Sequence, residues 1–558
     1  MPIHPRSIAA ALALAFTATG VLAHDPVQHA DPSAPLLPEE VPLYDNLGRL
    51  SYPISSESEL ARRYFDQGLR LSYAFNHGEA LRAYRAAQHH DPECALCYWG
   101  EAYVLGPNIN APMDEGAGSP AVTAVRRAQA LAAAASPREQ ALIAALAERY
   151  SDETGADQAE LNRAFAEGMA RAHRAFPEDD EIAVLYVDAL MNLSPWDYWE
   201  ADGSTPKGRV GEAVAVAEQV LARNPEHPGA IHLYIHLTEA SQRPERAEPY
   251  ADRLADLMPG AGHLVHMASH TYYRIGRYED SARINQRAVA VDEAYLAGGG
   301  AAAEIYAHGL YPHNIHFVVS SSQMSGDAET ALAYAERLAG KIPDPVAEQV
   351  GWIQAILPAP YFAHAQFSAT EAILALPDPG ERFPLVRAMW HYARGVALAE
   401  QGKLEAARGE SARIAELNGS GDFEMLLAWG VPAPDLLRIA RHVVEARIAE
   451  GEENLERAIA ELQVAVQIQD ALAYMEPPFW YYPVRQSLGA ALLQAGRVEE
   501  AASVFQAALE EAPNSPALLF GLREAQRAGG DAAAARETDG RLRQAMGSLT
   551  PELDLRRM

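Results

Sequence analysis

Cysteine is almost absent from this chain of 558 residues, which contains only Cys94 and Cys97. The two form the motif CALC, and because residue 98 is Tyr98 the motif is not a c-type haem attachment site. No thioredoxin-like βαβ pattern surrounds the pair. We therefore expect either a small local disulfide or two packed thiols.

Basic residues are also scarce. The chain carries 45 lysines and arginines against 75 aspartates and glutamates, which gives a formal net charge of −30. Such a surface does not neutralise phosphates, so we do not expect a nucleic-acid partner. The excess of carboxylates is compatible with attraction of cations.

Several other functional signals are missing. After residue 23 no apolar run is long enough for a membrane-spanning helix, so no membrane span is expected. The sequence has no phosphate-binding glycine loop, no G-x-S-x-G motif and no H-E-x-x-H helix. The nucleotide and hydrolase chemistries that these motifs mark therefore have no support.

What the chain does contain is alanine, leucine, glutamate and arginine, with few β-branched runs, a composition typical of an all-α protein. Residues 1–23 have the layout of a secretory signal peptide, with Arg6, an apolar run and the cleavage site VLA. We therefore expect a periplasmic or secreted protein. Residues 24–57, rich in Pro, Ser and Asp, are predicted to form an extended lead-in.

A repeating pattern begins at about Ser58. Its first copy is marked by small, aromatic and proline positions twelve, four, three and five residues apart, at Gly68, Ala80, Tyr84, Ala87 and Pro92. The cleanest copy is near the carboxy terminus, at Gly489, Gly496, Ala501, Phe505, Ala508 and Pro513. Weaker copies between them lie 34 residues apart, at Ala213, Ala247 and Ser281.

This spacing resembles the tetratricopeptide repeat, a helix–turn–helix unit of about 34 residues with small residues where its helices cross. The resemblance covers most of residues 58–549 and implies an all-α, right-handed α-solenoid whose first helices line a concave groove. We divide the chain into amino-terminal repeats, carboxy-terminal repeats with a cap, and a tail, at 58–343, 344–549 and 550–558. Insertions in such arrays tend to lie on one face, often the binding face, and here they are 106–118, 194–208 and 297–312.

Four short segments also resemble a subgroup of exported bacterial repeat proteins. They are GPNIN at 106–110, SPWDYW at 194–199, YPHNIHF at 311–317 and EPPFWYYP at 476–483. This resemblance implies a fold and not an activity.

Histidine is concentrated in one stretch, because residues 232–316 hold eight of the 19 histidines. Seven of the eight are three or four residues apart within predicted helices, so each set projects from one side of its helix. These seven are His232, His236, His263, His266, His270, His313 and His316. The resemblance places them at groove-facing positions of three successive repeats.

We interpret the seven histidines as a transition-metal site. Neutral imidazole is a common ligand of Zn, Cu and Fe, and more than four candidate ligands leave room for two ions. Asp188, His308 and Glu239 are predicted either as additional ligands or as residues that support the ligands. The ion could serve storage, delivery or catalysis, and the sequence does not decide whether the protein is an enzyme.

A different function is compatible with the same residues. Histidines in a groove are often only polar lining, and the groove could hold a peptide or a partner protein without any metal. The two hypotheses differ measurably. A metal site fails when one ligand is removed, whereas a peptide groove distributes its contacts over many residues.

Overall fold

The computed structural model describes residues 41–114, 116–153, 155–298 and 306–555. The predicted signal peptide, the lead-in up to residue 40, residues 299–305 of the insertion at 297–312 and the last residues of the tail lie outside these ranges. Within them the chain is helical and contains no β-sheet, only two isolated bridges. No helix in the described ranges is both long enough and apolar enough to cross a membrane.

The amino-terminal half is a series of helices that pack on their neighbours in chain order. They are α1 Glu59–Tyr73, α2 His77–His90, α3 Ala95–Leu105, α4 Gly118–Leu131, α5 Pro137–Ala147, α6 Gln158–Ala175, α7 Asp180–Met191, α8 Val210–Arg223, α9 Pro228–Glu239, α10 Glu248–Leu257, α11 Gly262–Arg274, α12 Tyr278–Ala297, α13 Tyr311–Ser325 and α14 Ala328–Leu338. A π-helical turn, Tyr306–Leu310, precedes α13.

The carboxy-terminal half continues the series of paired helices. Four short helices, at 344–347, 351–354, 370–374 and 424–428, interrupt the regular pairing. Its helices are α15 Asp344–Ala347, α16 Gly351–Gln354, α17 Ala359–Phe367, α18 Thr370–Leu374, α19 Pro384–Glu400, α20 Leu404–Ser420, α21 Glu424–Ala428, α22 Ala433–Gly451, α23 Leu455–Asp470, α24 Arg485–Gln494, α25 Val498–Glu511, α26 Pro516–Ala528 and α27 Ala532–Met546.

The small and aromatic positions of the repeat explain how its helices cross. Tyr84 of α2 fits against Gly68 of α1 and Gly100 of α3, where an added Cβ would come within 2.7 Å and 2.3 Å of its ring. Phe505 of α25 does the same between Gly489 and Gly521, with distances of 2.6 Å and 2.3 Å. Only glycine allows this approach, so the first and last repeats are built in the same way. The fold is the predicted all-α solenoid of tetratricopeptide-like hairpins.

The helix ends follow from local sequence. Ser136 and Glu139 form a reciprocal capping box at the start of α5, and Asp179 caps α7 by accepting from the backbone N–H of Ile182. At the start of α9, Pro228 occupies the first turn and the ring of His227 accepts from the backbone N–H of Ala230. These signals set where α5, α7 and the histidine-bearing helix α9 begin.

The described part of the lead-in, residues 41–57, contains no helix or strand, and it packs on the repeats. Val41 and Leu47 are buried, and the side chain of Gln67 on α1 bonds the backbone of Pro42 and of Tyr44. The phenol of Tyr52 donates to Asp179 at 3.1 Å. This segment is therefore part of the folded unit.

The buried apolar residues form two main clusters. One extends from residue 41 to residue 272 and the other from residue 273 to residue 542. The helices α9, α11 and α13 lie where these clusters meet. The candidate site is therefore built between two large packed bodies of side chains.

Candidate metal centre

Three neighbouring helices direct their histidines to one place. Helix α11 packs against α9 on one side and against α13 on the other. Helix α9 supplies two of the seven histidines, α11 three and α13 two. Six of the seven are buried and His313 is half-buried. The structure thus brings together residues from three successive repeats.

The first histidine trio consists of His232, His236 and His263. One ring nitrogen from each lies within 4.8 Å of the other two. The Nε2 atoms of His232 and His263, from different helices, are 3.2 Å apart. A single ion between α9 and α11 would meet all three rings.

The second histidine trio consists of His266, His270 and His313. Their nearest ring nitrogens are again within 4.8 Å of one another. The Nε2 atoms of His266 and His270, one turn apart on α11, are only 2.8 Å apart. His313 approaches from α13, with its ring centroid 4.9 Å from that of His266.

Glu239 joins the two trios. Its Oε1 accepts from Nδ1 of His236 at 2.7 Å, and its Oε2 accepts from Nδ1 of His270 at 2.5 Å. The side chain is buried at the end of α9. One carboxylate therefore orients one histidine of each trio, which is the usual way a protein supports imidazole ligands from behind.

Two further histidines are oriented by neutral acceptors. Nδ1 of His232 donates to the carbonyl of Tyr73 at 2.7 Å, and Nδ1 of His266 donates to Oδ1 of Asn285 at 2.6 Å. The Asn285 amide is held in that orientation because its Nδ2 donates to the carbonyl of Ser281 at 2.8 Å. Both rings thus carry hydrogen on Nδ1, which leaves Nε2 as the atom that faces the cluster.

Burial decides the charge of most of these rings. Burial and the neighbouring imidazoles lower the pKa of His232, His263, His266 and His313 well below 6.5. Burial also lowers the pKa of His236. The cluster is therefore mainly neutral near pH 7, which is the form that binds metals.

Glu239 and His270 depart from this pattern. Burial would raise the pKa of Glu239, yet His270 and His236 hold it at about 2. Burial would lower the pKa of His270, but the charge and the hydrogen bond of Glu239 raise it. The carboxylate is therefore ionised throughout the physiological range.

Two aromatic residues with unusual backbone conformations contact the cluster. Phe75 (φ 53°) and Trp196 (φ 66°) are in the left-handed region, which non-glycine residues adopt at a cost of about 1–3 kcal/mol. The ring of Phe75 lies 4.5 Å from that of His232, and the ring of Trp196 lies 5.1 Å from that of His236. The strained backbone at these two positions places an aromatic ring against a histidine of the first trio.

A cavity of about 540 Å³ opens over the cluster. Four histidines of the two trios face it, namely His236, His263, His270 and His313. Its walls include residues 107–113 and 195–196 from two of the predicted insertions and Leu310 from the end of the third. Insertions from separate repeats thus converge on one face, as expected for a binding face.

Residues 475–481, in the loop between α23 and α24, supply another wall of the cavity. The phenol of Tyr474 donates to Oε1 of Glu476 at 2.5 Å and to Oε2 of Glu239 at 3.3 Å. Burial and then the charge of Glu239 raise the pKa of Glu476 to about 7. His316 bonds Tyr481 through Nε2 at 2.7 Å and lines the cavity without joining either trio.

The remaining predicted residues have other neighbours. Asp188 is buried and accepts from the phenol of Tyr103 at 3.0 Å and from Nδ2 of Asn192 at 3.1 Å. His308 is half-buried in the π-helical turn. Within the described ranges the converging groups contain neither of them. Cys94 and Cys97 form a disulfide at the start of α3, far along the chain from the trios.

Sequence reasoning did not find several residues that shape the site. Phe75, Asn285 and Tyr474 are not among the candidates, because they contact His232, His266 and Glu239 across 19 to 235 positions of the chain. Glu476 joins the site through its bond with Tyr474. The density of aromatic and proline residues at 476–483 was the one available signal. Glu239 was predicted, and the structure places it behind the rings of His236 and His270.

Comparison with known proteins agrees with the fold. Residues 492–545 match the family model of the tetratricopeptide repeat. These residues cover α25 to α27 and part of α24, the copy with the clearest spacing. The match covers a small part of the chain and agrees there with the tetratricopeptide-like helical hairpins of the fold. No curated protein matches the chain.

Among solved structures, three similar ones cover most of the chain at low sequence identity. The human IFIT1 dimer with m7Gppp-AAAA is 12% identical, covers 88% of this chain and 91% of its own, and has a TM-score of 0.31. Yeast Tom70 is 10% identical, with 85% and 90% covered and a TM-score of 0.29. The P58(IPK) TPR domain is 13% identical, with 85% and 99% covered and a TM-score of 0.19.

Proposed function

We propose that the protein binds two transition-metal ions, one at each histidine trio, and uses them on a small molecule held in the cavity. The support comes from the direction of the ring nitrogens. His232, His236, His266 and His270 each commit Nδ1–H to a carbonyl, an amide oxygen or a carboxylate. In a neutral ring the lone pair is then on Nε2, on the side where the rings converge.

The pair His266 and His270 gives the strongest support for a bound cation. Two Nε2 lone pairs 2.8 Å apart repel each other unless a cation lies between or beside them. In the metal-free protein a proton on His270 fills this role, since Glu239 raises the pKa of that ring. A metal ion would replace this proton, so binding should release it.

The spacing of each trio suits first-row metals. Tetrahedral coordination with metal–nitrogen bonds of 2.0–2.1 Å requires nitrogens about 3.3 Å apart. The nitrogens of each trio lie within 4.8 Å of one another, so shifts of about an ångström close the site. The ligands come from rigid helices whose opposite ring nitrogens are already held.

Catalysis is favoured over storage by the shape of the site. Three histidines leave a fourth position for water or substrate, which is the arrangement of catalytic rather than structural zinc sites. That position would face the cavity, because members of both trios line it. A storage site would instead fill its coordination with protein ligands.

The ligand set narrows the metal to Zn, Cu or Fe. Imidazole suits all three, whereas thiolate ligands are excluded because both cysteines are in the disulfide. We also propose export to the periplasm or beyond, supported by the signal-like residues 1–23 and by the disulfide, which persists in oxidising compartments.

The test is elemental analysis of untagged protein exported to the periplasm and purified without chelator. We expect two equivalents of one metal in the wild type. The His266→Ala/His270→Ala variant should keep one equivalent, and the His232→Ala/His236→Ala variant should keep one as well. A matched control, His89→Ala/His90→Ala in α2, should keep two. No metal after reconstitution with Zn, Cu and Fe, or unchanged stoichiometry in both variants, would overturn the proposal.

Partner binding is the second candidate function, favoured by the match of residues 492–545 to the tetratricopeptide repeat. In that case the groove would hold a peptide or protein and the histidines would be polar lining. The double histidine variants would then bind no less metal than the wild type and would weaken a partner only modestly, since its contacts would be distributed.

A further inference from the structure

We propose that the cavity over the histidine trios holds a small uncharged aromatic molecule with a hydroxyl group, for which a phenol is the simplest model. The inference rests on the proposed function, because this molecule would be the substrate of the metal site. It is carried by three properties of the cavity: its size and apolar walls, the absence of lysine and arginine from its described lining, and the unpaired polar atoms of its lining residues.

The walls are mostly aromatic and aliphatic. Trp196, Trp352, Trp429 and Phe479 present ring surfaces to the cavity. A volume of about 540 Å³ is within the range of small-molecule sites, roughly 300–1,000 Å³. Flat indole walls favour a flat ligand, because stacked or edge-to-face rings gain energy beyond simple burial.

The charge of the lining argues against anions. Among the described residues that line the cavity there is no lysine, arginine or aspartate, and Glu476 is the one carboxyl group. In the metal-free protein a carboxylate or phosphate ligand would thus lose its water without gaining an unpaired basic side chain, because Glu239 already pairs with His270. An uncharged ligand avoids this cost.

Some residues that line the cavity have unpaired polar atoms, and these atoms indicate which polar group the ligand carries. The Oδ1 atoms of Asn110 and Asn192 and the Oε2 atom of Glu476 are buried without a hydrogen-bond partner in the protein. The Asn192 amide cannot turn to offer a donor instead, because its Nδ2 donates to the carbonyl of Asp188 at 2.9 Å. A buried acceptor left unpaired is unfavourable, and a ligand O–H that bonds it would remove this cost.

One unpaired donor lies in the same wall. Nε1 of Trp352 is buried without a partner, and the Trp352 ring lies 6.3 Å from that of His313. A hydroxyl group is both a donor and an acceptor, so it can pair with an asparagine oxygen as a donor and with an indole N–H as an acceptor. An ether or a hydrocarbon of the same shape does not.

The experiment measures binding of three matched probes, 4-methylphenol, 4-methylanisole and 4-methylbenzoate, by calorimetry. It uses the full chain stripped of metal with chelator, so that the result does not depend on the metal. We expect 4-methylphenol to bind at least about tenfold more tightly than 4-methylanisole, as one hydrogen bond of about 1.4 kcal/mol predicts, and 4-methylbenzoate not to bind. Equal binding of all three, or of none, would overturn the proposal.

Two variants locate the site. Asn192→Leu should remove most of the preference for the phenol over the anisole, whereas Asn418→Leu, at a half-buried asparagine of α20 outside the cavity lining, should leave it unchanged. If Asn192→Leu does not fold, Trp352→Ala serves, and it should weaken both neutral probes. A preference that survives in the folded variants would place the probe elsewhere and contradict the proposal.

The two proposals can fail separately. Metal binding without probe binding would contradict this inference alone, and probe binding without metal binding would contradict the proposed metal site.

Discussion

The carboxylate of Glu239 is shared by one histidine from each trio, and its two oxygens are both occupied by ring N–H donors. At the scale of single residues this is the contact on which the site depends. His236 and His270 keep their Nε2 atoms toward the cluster because Glu239 holds their Nδ1 atoms. Asn285 and the Tyr73 carbonyl have the same effect on His266 and His232.

Glu239→Gln tests this role. A glutamine has one acceptor oxygen, so one of the two rings must lose its acceptor and with it the orientation of Nε2. We expect the affinity for metal to fall by about 10–100-fold, measured by competition with a coloured chelator. Glu245→Gln, at a half-exposed carboxylate beyond the same helix, is the control and should show wild-type affinity. Equal affinities for the two variants would show that Glu239 is not a support for the ligands.

His316 gives a pH prediction. Burial lowers its pKa to about 3, below the value of about 6.5 expected in the unfolded chain. The unfolded chain therefore binds the proton first, so the stability due to this group is complete above pH 6.5 and is lost as pH falls toward 3. In wild-type protein with chelator, moving from pH 7 to pH 5 should cost about 2 kcal/mol through this residue.

His316→Gln should remove that part of the pH dependence, as measured by urea unfolding at the two pH values. Glutamine retains a polar group opposite the phenol of Tyr481. The exposed His89→Gln is the control, and it should lose as much stability on acidification as the wild type. A His316 variant with the same pH dependence as the wild type would contradict the assignment.

At the scale of elements, helix α11 is the centre of the site, since it supplies three histidines and contacts both neighbouring helices. Its first residue, Gly262, lies against α12, where an added Cβ would come within 1.7 Å of Oδ1 of Asp292. Asp292 is buried and accepts hydrogen bonds from Tyr306 in the π-helical turn and from Asn314 near the start of α13. The glycine therefore sets how closely α11, α12 and α13 approach.

Gly262→Ala should move these helices apart. We expect a loss of about 1–3 kcal/mol in the free energy of unfolding, together with weaker metal binding, because His263, His266 and His270 all follow on the same helix. The control is Gly409→Ala in α20, where an added Cβ meets no atom within 4 Å. That change should stabilise the protein by about 0.5–1 kcal/mol, as alanine does within helices. Equal effects of the two changes would contradict this packing.

At the scale of the whole molecule, repeats that are far apart in the chain contact each other beside the histidine trios. An added Cβ at Gly276, which follows α11, would come within 2.1 Å of the carbonyl of Pro513, and the side chain of Asn514 bonds the carbonyl of Ile275. Tyr474 reaches Glu239 across 235 positions of the chain. The amino-terminal and carboxy-terminal repeats thus build one site together.

The lead-in is a further part of this closed unit. A chain that begins at residue 58 should unfold several degrees below one that begins at residue 41, because it loses the buried side chains of Val41, Leu47, Tyr52 and Ile54. Thermal unfolding followed by circular dichroism measures the difference. Identical transitions for the two chains would show that these contacts contribute no stability.

The sequence by itself determined the helices, the repeat and the sides of the helices on which the histidines lie. These follow from spacings of three, four and about 34 residues, which report local periodicity and survive any tertiary arrangement. The glycines that face Tyr84 and Phe505 belong to the same local pattern. The seven histidines and Glu239 could therefore be identified before the structure was known.

Only the tertiary structure decided how these residues are grouped. The division into two trios, the acceptors of each Nδ1, the position of His316 beside Tyr481 and the loops that hold Phe75 and Trp196 all depend on contacts between distant parts of the chain. Asp188, which the spacing put beside the histidines, bonds Tyr103 and Asn192 instead. Spacing along a helix shows which side chains share a face, but the angle between packed helices and the course of the loops decide which of them meet.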